Sequence, residues 1–464
     1  MTAGTRVTSI IDFATLKKFG TATPRYASYP TADRFVEAFG SEEHAAWLTK
    51  RGIGGFGRRM GLYVHAPYCD ASCAYCGRQK GVTNDRASWS RYLRYLEKEA
   101  QLKSTLLNDH SVVEIHFGGN IPISVGDVEF GELAQILAQC FTQSDTTERS
   151  IEVDPRNLDG DSISRLAEMG FHRISLLTRD FRSSLHTPLE HDPVNSTTER
   201  VVEAARRSGI KSVRVELVYG LPGQTVMSFG SDLERTIKLS PERIAVYSFA
   251  HLRRVSRSRS KISASELPDV DSQLQLYLLA VTHLLQAGYV YIGMDFFTKP
   301  DDELAVAQRQ GRLHRNFQGY LTHPDCDLLG LGVSSFSTIG PSYCQNARSL
   351  DDYYERLDNG LLPIVRGVEL TPDDLVRRTV IQALTCHFEI AFESLEIAHL
   401  VDFRQYFTDE IEDLGVFVDA GLVRIEDNYL CVTDRGRYVV GAICMVFDRY
   451  LREGRQRASF AKVL

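Results

Sequence analysis

The 464-residue sequence is poor in several features that mark whole classes of proteins. It has no uninterrupted apolar stretch of about 18 residues, the length expected of a membrane-spanning helix. It has no excess of basic charge, because 53 lysines and arginines face 60 aspartates and glutamates and give a net charge of −7. Since a basic domain or stripe is the usual mark of a nucleic-acid binder, we expect neither a nucleic-acid nor a membrane partner.

The N-terminus also lacks the charged and then apolar layout of a secretory signal, so the expected location is the cytoplasm. Cysteine is scarce, with nine residues, and an odd number of thiols poses no pairing problem in a reducing compartment. Apolar residues make up 43% of the chain and charged residues 24%, which is ordinary for a soluble protein with a large core. This composition excludes a disordered chain, a collagen-like repeat and a small disulfide scaffold.

Three of the nine cysteines form the most informative motif. Cys69, Cys73 and Cys76 have the spacing Cys-x3-Cys-x2-Cys, which lets three thiolates converge on one metal centre. One interpretation is a structural zinc site, but closed zinc sites use four ligands, usually in two pairs, and no second pair follows. The spacing favours a [4Fe–4S] cluster with one iron left open for a substrate or cofactor. We expect the six isolated cysteines to pack as small buried hydrophobes.

Short runs of β-branched and aromatic residues alternate with stretches of helical periodicity over the first half of the chain. The predicted strands are 62–66, 112–117, 151–154, 173–177, 213–218 and 244–249. The predicted helices between them are 88–106, 130–141, 162–169, 196–208 and 226–239. Such alternation predicts parallel βαβ units, and six units are too few for a closed eight-stranded barrel. The expected fold is α/β, an open partial (β/α)6 barrel with an N-terminal extension and a mainly helical C-terminal domain.

The remaining sequence predicts two elements that flank this barrel. We expect an N-terminal substrate-covering element at 1–55, the barrel with extensions at 56–365, and the C-terminal domain at 366–464. In that last part the pattern predicts helices at 373–386, 403–418 and 435–452, with a hairpin within 421–433. Helix, hairpin and helix resemble a fragment of a winged helix, but the charge balance argues against DNA binding and favours a cap over the barrel mouth.

Residues with chemical uses follow the predicted strands, at the edge where parallel barrels carry their active sites. The cysteine loop follows the first strand, Gly118 and Gly119 follow the second, and Glu152 lies at the end of the third. Glycine lets the backbone come close to a ligand, although a plain tight turn explains a double glycine equally well. A carboxylate at Glu152 would face the site, or else would be a solvated loop acid.

These motifs resemble those of the radical S-adenosylmethionine (SAM) enzymes. The stretches PRYASYPTA at 24–32, GLYVHAPYC at 61–69, SIEVDPR at 150–156 and LHRNFQGY at 313–320 are similar, more specifically, to the oxygen-independent coproporphyrinogen III oxidases. The resemblance implies an oxidoreductase of porphyrin and haem biosynthesis that works without oxygen. In that family a SAM-derived 5′-deoxyadenosyl radical takes a hydrogen atom from the β-carbon of a substrate propionate. After one electron is removed, the carboxyl group leaves as carbon dioxide and a vinyl group forms, and two propionates react in this way to give protoporphyrinogen IX.

The resemblance also implies cofactors, partners and site residues. The cofactors are a [4Fe–4S] cluster held by Cys69, Cys73 and Cys76, and SAM, of which the family uses two molecules per turnover. The SAM contacts are Tyr63, Tyr75, Gly119, Glu152 and Ala250, whereas no residue is assigned a catalytic role. The implied partners are coproporphyrinogen III or a related tetrapyrrole and a reductant protein such as flavodoxin or ferredoxin, with the chain acting as a monomer.

Six positions around the implied SAM site depart from the family pattern: Asn120, Ile121, Arg179, His191, Glu216 and Phe336. Arg179 places a bulky cation where the family has an amide, Glu216 replaces an aspartate, and Phe336 replaces a smaller aliphatic residue. Losing a buried hydrogen-bond partner costs roughly 1–3 kcal/mol, so several losses could abolish SAM binding. Two hypotheses therefore stay open: an active enzyme with an adjusted SAM pocket, and a divergent non-catalytic paralogue that binds haem or porphyrin as a chaperone does. A haem-degrading radical SAM methyltransferase is a third interpretation, against which the N-terminal Pro-Arg-Tyr element argues.

Overall fold

The computed structural model describes residues 10–20, 23–51, 58–67, 86–107, 110–119, 127–155, 158, 160–177, 193–249, 267–323 and 326–455. All six strands predicted in the first half are present. They are β1 (Arg58–His65), β2 (His110–Gly118), β3 (Gln143–Val153), β4 (Arg173–Leu177), β5 (Ser212–Tyr219) and β6 (Arg243–Ser248). Neighbouring strands pair in parallel and in chain order, so their C-terminal ends lie along one edge.

The first seven helices precede or connect these strands. They are α1 (Phe13–Phe19), α2 (Ser41–Arg51), α3 (Arg86–Leu106), α4 (Asp127–Cys140), α5 (Gly160–Glu168), α6 (Pro193–Arg207) and α7 (Val226–Leu239). Every second residue along the strands is apolar and packs against the helices. Ile151, Ile174 and Val215 belong to one continuous core formed in this way. The intervening residues are polar and charged, because successive side chains of a strand point to opposite faces.

The sheet is wider than the six strands expected. At one edge, β7 (Val290–Gly293) and β8 (Phe296–Thr298) pair antiparallel and β8 adjoins β6. At the other edge, β11 (Asp327–Leu331) runs parallel to β1 and continues antiparallel into β12 (Phe336–Ile339), β13 (Ser342–Asn346) and β14 (Ile364–Glu369). The twelve strands form an open sheet with β14 and β7 at its edges, so the expectation of an open barrel is confirmed.

A separate hairpin and three helices belong to the same region. The hairpin consists of β9 (His314–Asn316) and β10 (Gly319–Leu321). The helices are α8 (Val270–Gln286), α9 (Glu303–Arg309) and α10 (Leu350–Asp358). Most of the added strands span only three to five residues, and β11 and β13 are buried throughout, so they show little alternation of apolar and polar residues. This is why the sequence pattern missed them.

The C-terminal part begins with α11 (Pro372–His387), which confirms the predicted helix there. The hairpin is also confirmed, as β16 (Val423–Ile425) and β17 (Tyr429–Val432), and β15 (Glu389–Ala391) adds an unexpected third strand. The other helices are α12 (Phe392–His399), α13 (Phe403–Tyr406), α14 (Thr408–Asp413), α15 (Gly415–Asp419), α16 (Val440–Cys444) and α17 (Arg449–Arg455). None of the described helices combines the length and the apolarity that crossing a bilayer requires.

Two of the predicted C-terminal helices are wrong in extent. The stretch 403–418 is three short helices, because the backbone at Phe407 leaves helical geometry and the turns let Phe403, Phe407 and Phe417 reach one core. The stretch 435–452 begins with a 3-10 turn (Gly436–Val439) and is interrupted again between α16 and α17. Helical periodicity predicted continuous helices because it does not register such breaks.

A buried ion pair fixes the strand that leads into the cysteine loop. Glu99 and Lys103 on α3 are both fully buried, and their carboxylate and ammonium lie 2.7 Å apart. Glu99 accepts hydrogen bonds from the backbone N–H of Gly332 at 2.7 Å and from the hydroxyl of Tyr353 at 2.6 Å. The hydroxyl of Tyr92, on the same helix, donates to the carbonyl of His65, the last residue of β1, at 2.6 Å. The cluster therefore holds the ends of β1 and β11 together.

Replacing Gly332 by alanine should loosen this junction. Gly332 has φ +94°, and an added Cβ would lie 2.5 Å from the carbonyl oxygen of His65 and against the Tyr92 hydroxyl. We expect Gly332→Ala to lower the free energy of unfolding by about 2–4 kcal/mol, measured by chemical denaturation. Gly360→Ala is the matched control, since Gly360 has φ +70° with nothing near its added Cβ, and should cost about 1 kcal/mol. Equal losses in the two variants would contradict the packing argument.

Candidate active site

The structure places five of the predicted site residues. Tyr63 lies on β1, Gly119 directly after β2, Glu152 near the end of β3, Glu216 on β5, and Phe336 at the start of β12. The other predicted site residues lie outside the described residues: Cys69, Cys73, Tyr75, Cys76, Asn120, Ile121, Arg179, His191 and Ala250. Their roles stay predictions. Among the residues that are described, no group of three or more potential metal ligands comes together.

The double glycine is required by the close approach of two strand ends. Gly119 has φ +89°, and an added Cβ would meet the carbonyl of Ala66 and lie 2.7 Å from the His65 ring. A Cβ on Gly118 would lie 2.5 Å from the Tyr63 hydroxyl oxygen. The absence of a side chain at both positions thus lets β1 and β2 stay in contact at the edge where the ligand is expected.

Glu152 is an anion held at this edge by three groups. Its carboxylate accepts a hydrogen bond from the backbone N–H of Gly119 at 3.2 Å. The same carboxylate lies 3.4 Å from His116 Nε2 and 3.5 Å from Arg214 Nη2. Burial opposes ionisation, but the hydrogen bond and charge of His116, the charge of Arg214 and the Gly119 N–H together lower the pKa of Glu152 to about 2. With 31% of the side chain exposed, Glu152 can accept hydrogen bonds from a cationic ligand.

The two rings beside Glu152 are stacked on each other. His116 packs against Tyr63 with ring centroids 5.8 Å apart and an angle of 17° between the planes. Nδ1 of His116 lies 2.7 Å from the hydroxyl oxygen of Ser150, and the Tyr63 hydroxyl lies 3.1 Å from His65 Nδ1. Tyr63, Gly119 and Glu152, the described residues predicted to contact SAM without departing from the family, are therefore neighbours in one polar patch.

Arg214 joins Glu152 to Glu216, one of the departing positions. Arg214 Nη2 lies 2.8 Å from a carboxylate oxygen of Glu216, and both side chains are largely buried. Burial alone would lower the pKa of Arg214, but the negative charges of Glu216 and Glu152 help to raise it, so its positive charge is secure. The sequence interpretation missed Arg214, although its spacing of two residues from Glu216 on a strand places both on one face.

Phe336 belongs to an aromatic cluster rather than standing alone. Its ring stacks on Phe317, in the loop of the β9–β10 hairpin, with centroids 4.6 Å apart, and packs edge-on to Phe35 at 6.1 Å. Tyr343 on β13 completes the cluster by stacking on Phe35. The larger side chain at this departing position therefore packs the N-terminal segment and the hairpin against the sheet.

The N-terminal motif reaches the barrel at β6. Arg25 Nη2 lies 3.1 Å from Asp295, which follows β7, and its guanidinium lies over the ring of Tyr247 at 4.5 Å. Burial raises the pKa of Asp295, whereas the charges of Arg25 and Arg315 favour its ionised form. The sequence interpretation used the motif around Arg25 only as a sign of family resemblance, and the contact of Arg25 with Asp295 became visible in the structure.

Comparison with known proteins identifies the class. Residues 63–236 match the model of the radical SAM superfamily, and residues 370–439 match that of the HemN C-terminal domain. The solved structure of coproporphyrinogen III oxidase (HemN) from Escherichia coli, described as a radical SAM enzyme, is similar with a TM-score of 0.86 and 37% identity. That match covers 95% of this chain and 99% of the other. The fold with its strand-end site is therefore that of a radical SAM enzyme.

Relatives matched over their full length define the family. The oxygen-independent coproporphyrinogen III oxidase of Pseudomonas aeruginosa is 41% identical over 453 residues, covering 96% of this chain and 97% of that protein. The enzyme of the same description from Escherichia coli K12 is 37% identical over 453 residues, covering 98% of each chain. The chain belongs to the family of oxygen-independent coproporphyrinogen III oxidases.

Removing the cation shared by the two carboxylates should destabilise the fold. In Arg214→Gln, Glu152 and Glu216 lose their common partner inside the barrel, and we expect the free energy of unfolding to fall by about 2–3 kcal/mol. Arg235→Gln, a substitution at an exposed position on α7, should change it by less than about 0.5 kcal/mol. Denaturant unfolding at neutral pH measures both, and a loss below about 1 kcal/mol in Arg214→Gln would show that neither carboxylate depends on it.

Proposed function

We propose that this protein converts coproporphyrinogen III to protoporphyrinogen IX by oxygen-independent oxidative decarboxylation, a step of porphyrin and haem biosynthesis. The observation that carries the proposal is the patch of Tyr63, Gly119 and ionised Glu152 at the ends of three adjacent strands. Family membership supports the choice of substrate, since relatives of this description cover 96% and 98% of the chain.

Two cofactors belong to this proposal. Cys69, Cys73 and Cys76 are proposed to hold a [4Fe–4S] cluster, and Tyr63, Tyr75, Gly119, Glu152 and Ala250 to contact SAM. When bound, the two groups supply one-electron chemistry that generates a strongly oxidising carbon radical. The described residues fit a cationic amino-acid ligand, because Glu152 offers a partly exposed carboxylate that is ionised at neutral pH.

The residues of the barrel itself are proposed to bind and orient the ligand and to exclude water from it. Glu152 is proposed to accept hydrogen bonds from the SAM ammonium group while Gly119 and His116 hold the carboxylate in place. The cavity inside the barrel below it, the lumen, has a volume of only about 50 Å³. Paired side chains such as Arg173 with Glu148 leave little room for solvent there. A radical needs such protection, because side reactions with solvent or protein would consume it.

The departures from the family pattern are proposed to be adjustments of one pocket. Glu216 is paired with Arg214, and Phe336 is packed in an aromatic cluster, so each has a partner within this chain. Asn120, Ile121, Arg179 and His191 are proposed to line the rest of the altered pocket. A second candidate function, a non-catalytic carrier of haem or porphyrin, becomes the better description if these four positions prevent SAM binding.

The proposal extends to partners and location. The reductant is proposed to be a flavodoxin or ferredoxin, the working form a monomer, and the compartment the cytoplasm. Residues 1–55 are proposed to cover the substrate, residues 56–365 to form the catalytic barrel, and residues 366–464 to cap it. The contact between Arg25 and Asp295 supports the first of these roles, because it ties the N-terminal segment to the barrel.

The decisive experiment starts from anaerobically reconstituted protein with SAM and a reductant. We expect 5′-deoxyadenosine to form and coproporphyrinogen III to be consumed, both measured by chromatography. Cys73→Ser should bind less iron and produce no 5′-deoxyadenosine, because the cluster loses one of three ligands. Cys140→Ser, at a half-buried cysteine on α4, is the control and should retain iron and activity.

Other outcomes separate the alternatives. Cleavage of SAM without loss of coproporphyrinogen III would point to another substrate. An intact cluster with no SAM cleavage would overturn the enzymatic proposal, and a titration with haem and with porphyrin would then test the carrier function. Equal iron content in Cys73→Ser and wild type would contradict the assignment of the cluster ligands.

A further inference from the structure

A second cavity lies outside the strand-end patch, which consists of Tyr63, Gly119 and Glu152. We call this cavity the hairpin cleft. It is bounded by the β9–β10 hairpin, the strands β11–β13 and the helix α11, with Arg315, Tyr343 and Arg378 among its lining residues. Its volume of about 710 Å³ falls within the range of roughly 300–1,000 Å³ typical of small-molecule sites. None of its described lining residues was assigned a role by the motifs or by the strand-end patch.

Arg315 lines this cleft and carries a buried guanidinium in which two donor atoms lack a hydrogen-bond partner. Only 4% of the residue is exposed, and its plane lies over the Tyr320 ring at 4.6 Å. Nη2 donates to the carbonyl of Arg25 at 3.3 Å, whereas Nε and Nη1 have no hydrogen-bond partner. A buried charged donor that lacks a hydrogen-bond acceptor lowers the stability of the fold. The site is therefore suited to an anion that would accept hydrogen bonds from these two atoms.

The charges around the cleft also favour an anionic ligand. Arg51 is neutralised by Asp327 through two hydrogen bonds of 2.7 and 2.9 Å. Arg378, half-buried on α11, makes no ion pair within the described part of the chain. Asp295 is the carboxylate whose charge acts on Arg315, but it lies against Arg25. Two guanidinium groups on the described wall therefore lack a bonded carboxylate.

The β9–β10 hairpin is fastened to α11, which fixes the shape of the cleft. The same hairpin also forms a wall of the lumen. The Gln382 side chain on α11 donates to the Arg315 carbonyl at 2.6 Å and accepts from the Arg315 N–H at 3.3 Å, which fastens the hairpin to the helix. On the same hairpin, Gln318 and Tyr320 line the lumen cavity together with His116. Because the cleft is preformed, binding there need not first order the hairpin.

We propose that the hairpin cleft binds carboxylate side chains of an anionic tetrapyrrole through Arg315 and Arg378. Guanidinium groups recognise carboxylates through paired, charge-assisted hydrogen bonds, and the Leu375 and Tyr343 side chains offer apolar surface for the macrocycle. The choice of a tetrapyrrole rests on the proposed function, whereas the need for an anion rests on the cleft alone. Inorganic phosphate is the other source of such an anion.

A binding titration tests the cleft independently of catalysis. Coproporphyrin III, the fluorescent and already oxidised form of the proposed substrate, is titrated into the full-length reconstituted protein. We expect Arg315→Gln and Arg378→Gln each to raise the dissociation constant by roughly tenfold or more, because each removes a charged hydrogen-bond donor. Arg235→Gln on α7 is the matched control and should leave it unchanged. Circular dichroism checks folding, and the half-exposed position of Arg378 keeps the test valid if Arg315→Gln is unstable.

The outcomes keep the cleft and the proposed function apart. If the two arginine variants bind coproporphyrin III as wild type does, or if wild type does not bind it, the cleft proposal falls whatever the activity. If binding depends on both arginines while coproporphyrinogen III is not consumed, the cleft stands and the catalytic proposal fails. Displacement of the porphyrin by inorganic phosphate at a concentration comparable to that of the porphyrin would identify a phosphate site instead and overturn the tetrapyrrole assignment.

Discussion

Charge pairing inside the barrel is the constraint on which the rest of the structure depends. The inner faces of β2–β6 carry carboxylates and guanidinium groups, and a buried charge is tolerated only when it is paired and hydrogen-bonded. Arg173 meets Glu148, Arg214 meets Glu152 at 3.5 Å, and Arg243 meets Asp302 at 2.8 Å. Because these partners come from different strands or from the segment before α9, the pairing also fixes the neighbours of each strand.

The same requirement shapes the strand-end patch. Glu152 stays ionised because His116, Arg214 and the Gly119 N–H surround it, and the glycine geometry that provides this N–H follows from the contact between the ends of β1 and β2. The fully buried pair of Glu99 and Lys103 secures the adjoining end of β11 through Gly332 and Gly330, and Tyr92 on the same helix secures His65 of β1. The ionised carboxylate of Glu152 at this edge is therefore a consequence of the charge pairing inside the barrel.

Sequence patterns were sufficient for the repeating part of the fold and insufficient for contacts between distant segments. The six parallel strands were predictable because each carries an apolar face, whereas β9 and β10 have three residues each and show no period. Periodicity likewise predicted one helix over 403–418, where the turn at Phe407 lets several aromatic rings share a core. Of the site, Glu152 could be predicted from its position at the end of a strand. The contacts of Arg214 with two carboxylates and of Arg25 with Asp295 depend on tertiary packing.

The two departing positions that the structure describes argue for adjustment rather than loss. A glutamate in place of an aspartate extends the carboxylate by one methylene, and in this chain it meets Arg214 at 2.8 Å. A phenylalanine in place of a smaller aliphatic residue would overpack a fixed pocket, yet Phe336 stacks in parallel on Phe317. Substitutions that only eroded a site would leave orphaned charges and crowded rings. Since both side chains have well-matched partners, the fold of this chain accommodates both substitutions without an unpaired charge or a crowded ring at either position.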